Sequence, residues 1–278
     1  MNTKIWLGVA FGVMFTLTGC GRSEPEAPAA AAPDAAVEAM DEAVEAMDEA
    51  VEVVDLRALL ASESRPEEDR SRDAGRKPAD VIEFLGIEPG MRVMDVIAAG
   101  GYYTEVLSLA VGEDGSVVAQ NPPGILQIRD GAFEKQLSDR LANDRLPNVS
   151  RLDADLNDVD SSVGTFDAAI TALNFHDIYN RNGPEAAVGA LKTVYDRLEP
   201  GGVFGIIDHV GVADADNVAL HRIEKSIAIE SALAAGFVVE GESMLLQNAA
   251  DDHSESVFSE NVRGQTDRFV LKLRKPVG

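Results

Sequence analysis

The 278-residue chain has one cysteine and one tryptophan, Cys20 and Trp6, and both lie within its first twenty residues. A single thiol excludes an internal disulfide bond, so a covalent cross-link cannot stabilise the fold. The hydrophobic fraction of 45% is nevertheless sufficient for a sizeable apolar core. The apolar run Ile5–Leu17 has only about 13 residues, which is too short for a transmembrane helix. The sequence therefore predicts a globular protein that does not span a membrane.

Basic residues are scarce. The chain has 24 lysines and arginines against 48 aspartates and glutamates, which gives a net charge of −24 and a pI near 4.4. A field of this sign repels the phosphate backbone of nucleic acids and anionic lipid head groups. The composition therefore predicts a soluble domain without a nucleic-acid partner.

The amino terminus resembles the signal peptide of a bacterial lipoprotein. Lys4 precedes the apolar run Ile5–Leu17, and the segment ends in Leu17-Thr18-Gly19-Cys20. This tetrapeptide resembles a lipobox, in which small residues precede a cysteine whose thiol accepts diacylglycerol. The resemblance implies that residues 1–19 are removed and that acylated Cys20 anchors the protein in a lipid bilayer. The expected location is the periplasmic side of the bacterial cell envelope.

A tether is predicted between this anchor and the folded domain. Residues 20–36 consist mainly of Ser, Pro, Glu and Ala, the composition of a flexible linker. The heptad Val37–Ala43 is then repeated once before the pattern decays, and its valine and methionine lie on one helical face. An acidic amphipathic helix is therefore expected over residues 37–62, either as a spacer or as a partner-docking helix through residues 37–54. A stable coiled coil needs roughly three to four heptads, which favours the spacer.

Residues 63–278 alternate short apolar runs with helical segments, the pattern of an α/β domain. The runs predict a mostly parallel twisted sheet that ends in an antiparallel strand pair. Ligands of such open sheets lie outside the carboxyl ends of the strands, so the residues that follow each strand are the candidate site. The predicted strands are Arg92–Ile97, Ser116–Ala119, Val149–Leu152, Phe166–Ala172, Val203–Asp208, Phe237–Leu245 and Arg268–Leu273, and helices are predicted over Pro78–Leu85, Pro184–Leu198 and Val218–Ala235.

Several motifs in this domain resemble those of one family. The stretch Asp95–Thr104 is similar to motif I of class I S-adenosylmethionine (SAM)-dependent methyltransferases, an acidic residue followed by a glycine-containing turn into a helix. Over residues 65–276 the chain is most similar to the secreted "predicted methyltransferase" group. The resemblance implies a Rossmann-like methyltransferase fold, SAM as the cofactor and a small-molecule methyl acceptor. Further matching motifs are Glu88–Val93, Leu198–Gly202, Arg76-Lys77-Pro78, Asn174–Asp177, Asp208-His209 and Gly264–Phe269.

Motif I departs from the family pattern at two positions. The family has glycine where this chain has Ile97 and Ala99, and of the three glycines only Gly101 is kept. A β-branched residue is very unfavourable at positive φ. The sequence therefore predicts that this loop follows a different backbone path, with flexibility shifted to Gly100 and Gly101.

The resemblance also implies which residues hold the cofactor. Around motif I these are Asp95, Ala99, Gly100, Gly101 and Tyr102. The tyrosine ring is a candidate to cover the sulfonium by cation–π attraction, although packing of its helix explains it equally well.

Two later strands supply further cofactor candidates. After the second strand, where the family usually has an acidic residue for the ribose hydroxyls, this chain has Gln120 and Asn121. After the third strand, Asp155 is expected to meet the adenine amino group, while a solvated acidic turn is an equally good explanation.

Polar residues after the fourth and fifth strands are the catalytic candidates. These are Asn174, His176 and Asp177, and then Asp208 and His209. An imidazole titrates near neutral pH, so His176 is the expected general base, oriented by Asp177 or Asp208.

A metal site and an anion site are the alternatives for nearby residues. His176, His209 and His221 would bind zinc or iron if the fold brought them together. Because no pair has the i, i+4 spacing of a helical metal motif, no metal is expected. Arg222 and Arg268 are expected either to hold a substrate carboxylate or, preferably, to pair with the many acidic residues.

Three functions therefore remain open. The leading one is a SAM-dependent methyltransferase acting on a small molecule by direct methyl displacement. The second is an exported methyltransferase-like binding protein that has lost SAM. The third is a metal-dependent enzyme that uses the histidines and aspartates.

Overall fold

The computed structural model describes residues 55–278. The predicted signal peptide, the lipid attachment at Cys20, the linker and the helix over residues 37–54 lie outside the described residues. None of the helices from residue 55 onward is both long enough and apolar enough to cross a membrane.

A seven-stranded sheet forms the centre of the domain, with strand order β3-β2-β1-β4-β5-β7-β6. All neighbouring strands are parallel except β7, which runs antiparallel to both β5 and β6. This topology confirms the predicted Rossmann-like methyltransferase fold with a late antiparallel pair. The strands are β1 Arg92–Val96, β2 Ser116–Gln120, β3 Val149–Leu152, β4 Phe166–Ala172, β5 Leu198–His209, β6 Val238–Ser243 and β7 Arg268–Arg274.

Helices cover both faces of the sheet. Their ends follow local signals: α3 begins with Pro78 in its first turn and ends at Gly86, whose φ of 71° is left-handed. Short 3-10 turns connect some of the elements. The helices are α1 Leu56–Ala61, α2 Glu67–Arg76, α3 Pro78–Leu85, α4 Tyr102–Val111, α5 Pro123–Leu126, α6 Ile128–Leu141, α7 Phe175–Arg197, α8 Asn217–Leu220 and α9 Lys225–Ala234.

The side chains of β1 show how the core is divided. Met94 and Val96 point into one apolar cluster, and Val93 points into the other. Asp95 follows the same alternation as Val93, so its carboxyl group is buried under α4, where Thr104 donates a hydrogen bond to it. An acidic side chain is thereby held inside the domain at the carboxyl end of the central strand.

Helix α1 belongs to this folded body. Leu60 is buried in the same apolar cluster as Val93, and α1 packs on α4. The folded body therefore begins before Glu63, within the range predicted to be a spacer.

The helix predicted over Val218–Ala235 is wrong. The segment forms two helices, α8 and α9, because the chain turns at His221, whose φ is 55°. Beyond the turn, the amide of Ile223 donates to the His209 carbonyl, and the amide of Gly211 donates to the Ile223 carbonyl. The continuous apolar pattern contained no sign of this tertiary pairing.

Helix α7 begins earlier than predicted. It starts at Phe175 rather than at Pro184, and Gly183, with φ of 83°, marks a kink inside it. His176 and Asp177 consequently lie in the first turn of a helix, which fixes the direction of their side chains.

Candidate active site

A cavity of about 400 Å³ opens at the carboxyl ends of β1, β4 and β5. The chain order reverses between β1 and β4, and this is the position at which open α/β sheets bind ligands. Most of the residues proposed from the sequence lie together on its wall. These are Asp95, Ala99, Gly100, Tyr102, Asn174, His176, Asp177 and His209.

The motif I loop adopts the left-handed conformations that glycine would favour. Ile97 has a φ of 58°, Ala99 of 50° and Gly101 of 82°. The predicted alternative backbone path is therefore wrong. Each non-glycine residue in this region costs about 1–2 kcal/mol, so other contacts must hold the loop in place.

Those contacts come from two buried amides at the end of β2. Gln120 Oε1 accepts from the amide of Ile97 at 3.1 Å, and Asn121 Oδ1 accepts from the amide of Ala99 at 2.8 Å. Gln120 Nε2 also donates to the Ala154 carbonyl. The side chains of Gln120 and Asn121 therefore hold the loop and are absent from the cavity wall described above.

Two of the other candidate residues, Asp155 and Gly101, lie outside the cavity wall. Asp155 is exposed and does not line the cavity, so its contact with adenine stays a prediction. Gly101 lies behind the wall, where a Cβ atom would come within 2.9 Å of Leu137 Cδ1. Asn174 Nδ2 donates to the carbonyls of Ile97 and Ala172, which joins motif I to the end of β4.

Replacing Ala99 with glycine is expected to raise the free energy of unfolding by roughly 0.5–1 kcal/mol, because glycine accepts positive φ without steric cost. Ala98→Gly is the matched control, since Ala98 is the neighbouring residue and lacks a positive φ. It should lower stability by a similar amount. Urea unfolding measures both, and equal destabilisation by the two variants would contradict the left-handed loop.

The His176–Asp208 pair is the best-defined polar contact of the site. Asp208 Oδ1 lies 2.7 Å from His176 Nδ1, and Asp208 Oδ2 accepts from the backbone amide of His176 at 2.7 Å. The carboxylate therefore fixes the imidazole with its Nδ1 proton inward, and Nε2 remains for the cavity. Burial disfavours the imidazolium, but the charge of Asp208 outweighs it and raises the pKa of His176 above its ordinary value.

His209 differs from His176 although the two rings are 5.7 Å apart. Its Nδ1 shares a hydrogen bond of 2.7 Å with Thr266 Oγ1. Burial lowers the pKa of His209 to about 3. It is therefore a neutral group over the physiological pH range.

A third cluster surrounds one oxygen of Asp177. Asp177 Oδ1 lies 3.3 Å from Arg181 Nε, 3.4 Å from His221 Nδ1 and 3.8 Å from His176 Nε2. The ligand atoms of His176, Asp177 and His221 all lie within 4.8 Å of one another, a spacing that a metal ion accepts. His209 does not join this group, because its Nδ1 atom is turned to Thr266.

Sequence reasoning missed the arginines of helix α2. Arg72 and Arg76 line the cavity, and their guanidinium carbons lie 4.9 and 4.3 Å from the centroid of the Tyr102 ring. The face of Tyr102 is thus covered by protein cations rather than left for a sulfonium, and its hydroxyl donates to Asp73. The Arg76-Lys77-Pro78 signature marked this position, but α2 follows no strand.

Asp95 is one of two acidic residues of the cavity wall, the other being Asp177. Thr104 Oγ1 donates a hydrogen bond to the Asp95 carboxyl group at 2.7 Å. Burial raises the pKa of Asp95 to about 6, against an ordinary value of 3.8. A cation in the cavity would favour the ionised form of this carboxyl group.

Comparisons with known proteins agree with this arrangement. Residues 70–147 match the model of the protein-L-isoaspartate(D-aspartate) O-methyltransferase (PCMT) family. No curated protein sequence matches the chain.

Solved structures share the fold. A SAM-dependent methyltransferase from Aquifex aeolicus is 21% identical with a TM-score of 0.51, and the match covers 71% of this chain and 89% of that one. The [4+2]-cyclase SpnF is 18% identical with a TM-score of 0.56, over 78% and 86% of the two chains. The second example shows that the fold by itself does not define one activity.

The motif I loop, the cavity at the strand order reversal and the family match over residues 70–147 agree with one another. The same findings support SAM as the cofactor. The chain therefore has the fold of class I SAM-dependent methyltransferases, and residues 70–147 within it match a methyltransferase family model.

Proposed function

We propose that this protein transfers a methyl group from SAM to a small-molecule acceptor by direct displacement, with His176 as the general base. The observation that carries the proposal is the His176–Asp208 pair, whose free imidazole nitrogen faces the same cavity as the motif I loop. A positioned base contributes about 10²–10⁴-fold to such a reaction.

The charges of the cavity wall fit SAM. When bound, SAM supplies an electrophilic methyl group on a sulfonium, and it also carries an ammonium and a carboxylate group. Asp95 offers a carboxylate for the cationic groups, and Arg72 and Arg76 offer guanidinium groups for the anionic one. The loop from Ile97 to Gly100 forms the adjoining backbone surface.

The residues after β4 and β5 would remove the proton from the methyl acceptor. Asp208 holds Nδ1 of His176, so Nε2 is the atom that accepts a proton from the acceptor. Asp177 lies on the cavity side of this nitrogen, and its negative charge stabilises the imidazolium that forms. Asn174 keeps the motif I loop at a fixed distance from the base through its two backbone contacts.

Calorimetry of the full chain with SAM and with S-adenosylhomocysteine tests the proposal. We expect saturable binding of both at millimolar concentrations or below. If neither compound binds, the proposed methyltransferase activity is excluded, and the alternative of a methyltransferase-like binding protein is favoured.

Asp95→Asn is expected to weaken S-adenosylhomocysteine binding about tenfold at pH 7.5 and to stabilise the free protein. Because the folded pKa of about 6 lies above the ordinary 3.8, the folded state takes up the proton first. Stability is therefore lost as the pH rises from 4 to 6, by about 3 kcal/mol, and the neutral amide avoids part of this cost. The stability gain should disappear below pH 4.

Calorimetry and thermal unfolding between pH 4 and 8 measure these two effects. Asp114→Asn is the control, since Asp114 is exposed and lies outside the cavity wall. A variant that loses both affinity and stability at neutral pH would contradict the assignment of Asp95.

The metal-dependent enzyme remains a second candidate because of the spacing of His176, Asp177 and His221. Two imidazoles and a carboxylate are a suitable ligand set for zinc or iron. Against it, Arg181 occupies the same oxygen of Asp177. Metal analysis after mild purification tests this candidate. A near-stoichiometric metal content that is lost in His221→Ala would favour a metal-dependent enzyme over a methyltransferase with His176 as the general base.

We also propose that the protein is a lipoprotein attached through Cys20 on the periplasmic side of the envelope. The support is the sequence from Lys4 to Cys20. We expect Cys20→Ser to abolish incorporation of labelled fatty acid and to move the protein out of the washed membrane fraction. Unchanged labelling and sedimentation of the variant would overturn the proposal.

A further inference from the structure

A second cavity of about 620 Å³ adjoins the first. The two share a wall that contains Arg72, Arg76 and Arg129 together with His209. The wall also includes apolar side chains from Leu173, Val257 and Phe258. A ligand in the second cavity would therefore reach the edge of the candidate active site across a partly apolar surface.

The second cavity is unusually basic for this protein. Arg263 and Arg268 add to the three shared arginines, so five arginines line it, while Glu68 is its single acidic wall residue. The whole chain, by contrast, has twice as many acidic as basic residues. A basic cavity in an acidic protein points to an anionic ligand, because the surrounding charge repels anions everywhere else.

Four of these arginines, here called the unpaired arginines, form no ion pair with any carboxylate between residues 55 and 278. They are Arg76, Arg129, Arg263 and Arg268. Elsewhere in the fold, buried arginines have partners: Arg65 pairs with Asp73, Arg140 with Asp69, and Arg222 with Asp251.

Two of the unpaired arginines are held in place without neutralisation. Arg268 is only 6% exposed and donates to the carbonyls of Thr266, Gly75 and Gly264. Arg76 lies on the Tyr102 ring. Burial lowers the pKa of Arg268, and the nearby charge of Arg76 acts in the same direction. An uncompensated pair of like charges in a partly buried wall is costly, and a bound anion removes that cost.

We propose that the second cavity binds the oxyanion of the methyl acceptor, a carboxylate or phosphate group, so that the substrate is an anionic small molecule. This inference rests on the proposed methyltransferase function and adds the substrate class. Guanidinium groups suit either oxyanion because they donate two parallel hydrogen bonds to it. The apolar wall of Leu173, Val257 and Phe258 receives the part of the acceptor between the anion and the reacting atom.

The test uses the full chain saturated with S-adenosylhomocysteine, whose own carboxylate occupies the arginines that the cofactor needs. Calorimetry then follows the addition of malonate or inorganic phosphate at constant ionic strength. We expect saturable binding of at least one anion, and the comparison of the two distinguishes a carboxylate from a phosphate acceptor. Arg129→Gln/Arg263→Gln should weaken it at least fivefold, and both side chains are exposed, so the fold should be retained.

Arg197→Gln is the matched control, because Arg197 also lacks an ion pair among residues 55–278 but lies outside both cavities. It should bind the anion within twofold of the unchanged protein. No saturable binding of either anion, or equal binding by the double variant, overturns the proposal. Failure of S-adenosylhomocysteine to bind in the first step would instead count against the proposed function.

Discussion

Replacing His176 with asparagine is expected to slow methyl transfer about 100-fold at neutral pH, while S-adenosylhomocysteine affinity changes less than threefold. The asparagine amide keeps a donor near the position of Nδ1, so Asp208 retains a partner. It has no basic nitrogen at the position of Nε2, and proton removal is lost. Release of S-adenosylhomocysteine with a competent acceptor measures the rate.

The control for this variant is His253→Asn. His253 also pairs with an aspartate, at 3.0 Å from Asp267, but it lies outside the cavity wall. It should leave the rate within twofold. If His176→Asn lost affinity and rate equally, His176 would be a binding residue rather than the base.

The pH profile gives a second readout of the same assignment. A general base must be neutral, so the rate should rise with pH through the pKa of His176, which Asp208 holds above 6.5. Asp208→Asn removes the negative charge and leaves burial to lower that pKa. The rising part of the profile should therefore move to lower pH, whereas a purely structural role of Asp208 would reduce the rate without moving it.

Arg222→Ala is expected to lower the free energy of unfolding by about 3–5 kcal/mol. The side chains of Arg222 and Asp251 are fully buried and joined by two hydrogen bonds of 2.8 and 3.0 Å. Removing the guanidinium leaves an uncompensated carboxylate inside the domain. The pair confirms the preferred interpretation of Arg222 as a structural partner of an acidic residue.

Urea unfolding measures this loss, with Arg151→Ala as the control. Arg151 pairs with Glu134 and Asp153 near the surface, so its removal should cost less than about 1 kcal/mol. If Arg222→Ala does not fold, Arg222→Lys should fold with a smaller loss, because it keeps the charge. If Arg222→Ala and Arg151→Ala lost equal free energy of unfolding, burial would not be the reason for the large effect expected at Arg222.

The pKa of Asp251 determines how the stability loss of Arg222→Ala changes with pH. Burial raises the pKa of this carboxyl group, but Arg222 and two backbone amides outweigh it and hold the pKa below 3.8. In the unchanged protein, ionised Asp251 therefore stabilises the fold above the ordinary pKa of 3.8. This stabilisation is lost as the pH falls through the pKa that Asp251 has in the folded state. Without Arg222 the buried carboxyl group is easier to protonate. The deficit of Arg222→Ala should therefore become smaller as the pH is lowered.

The segment that contains His221 and Arg222 could not be predicted from the sequence pattern. The run from Val218 to Ala235 has the periodicity of one helix, and periodicity reports only which residues face the core. It carries no information about Asp251 or about the His209 carbonyl, which bind this segment from distant parts of the chain. Tertiary contacts therefore placed His221 beside Asp177, within the candidate active site.

The motif I loop is the opposite case. Its function was predicted from its place after β1, yet its conformation was not, because Ile97 and Ala99 disfavour positive φ. The buried amides of Gln120 and Asn121 supply the missing constraint across the sheet. Local propensity was overruled by hydrogen bonds that form only when β1 and β2 are paired.

By itself the sequence determined the α/β architecture, the bounds of α3, β3 and β4, and the convergence of Asp95, Asn174 and His176 at one sheet edge. These follow from periodicity, helix-end signals and the rule that parallel strands end on one side. Only the tertiary structure decided the partner of each buried charge and which arginines have none. Such pairings join residues far apart in the chain, and local sequence patterns do not encode them.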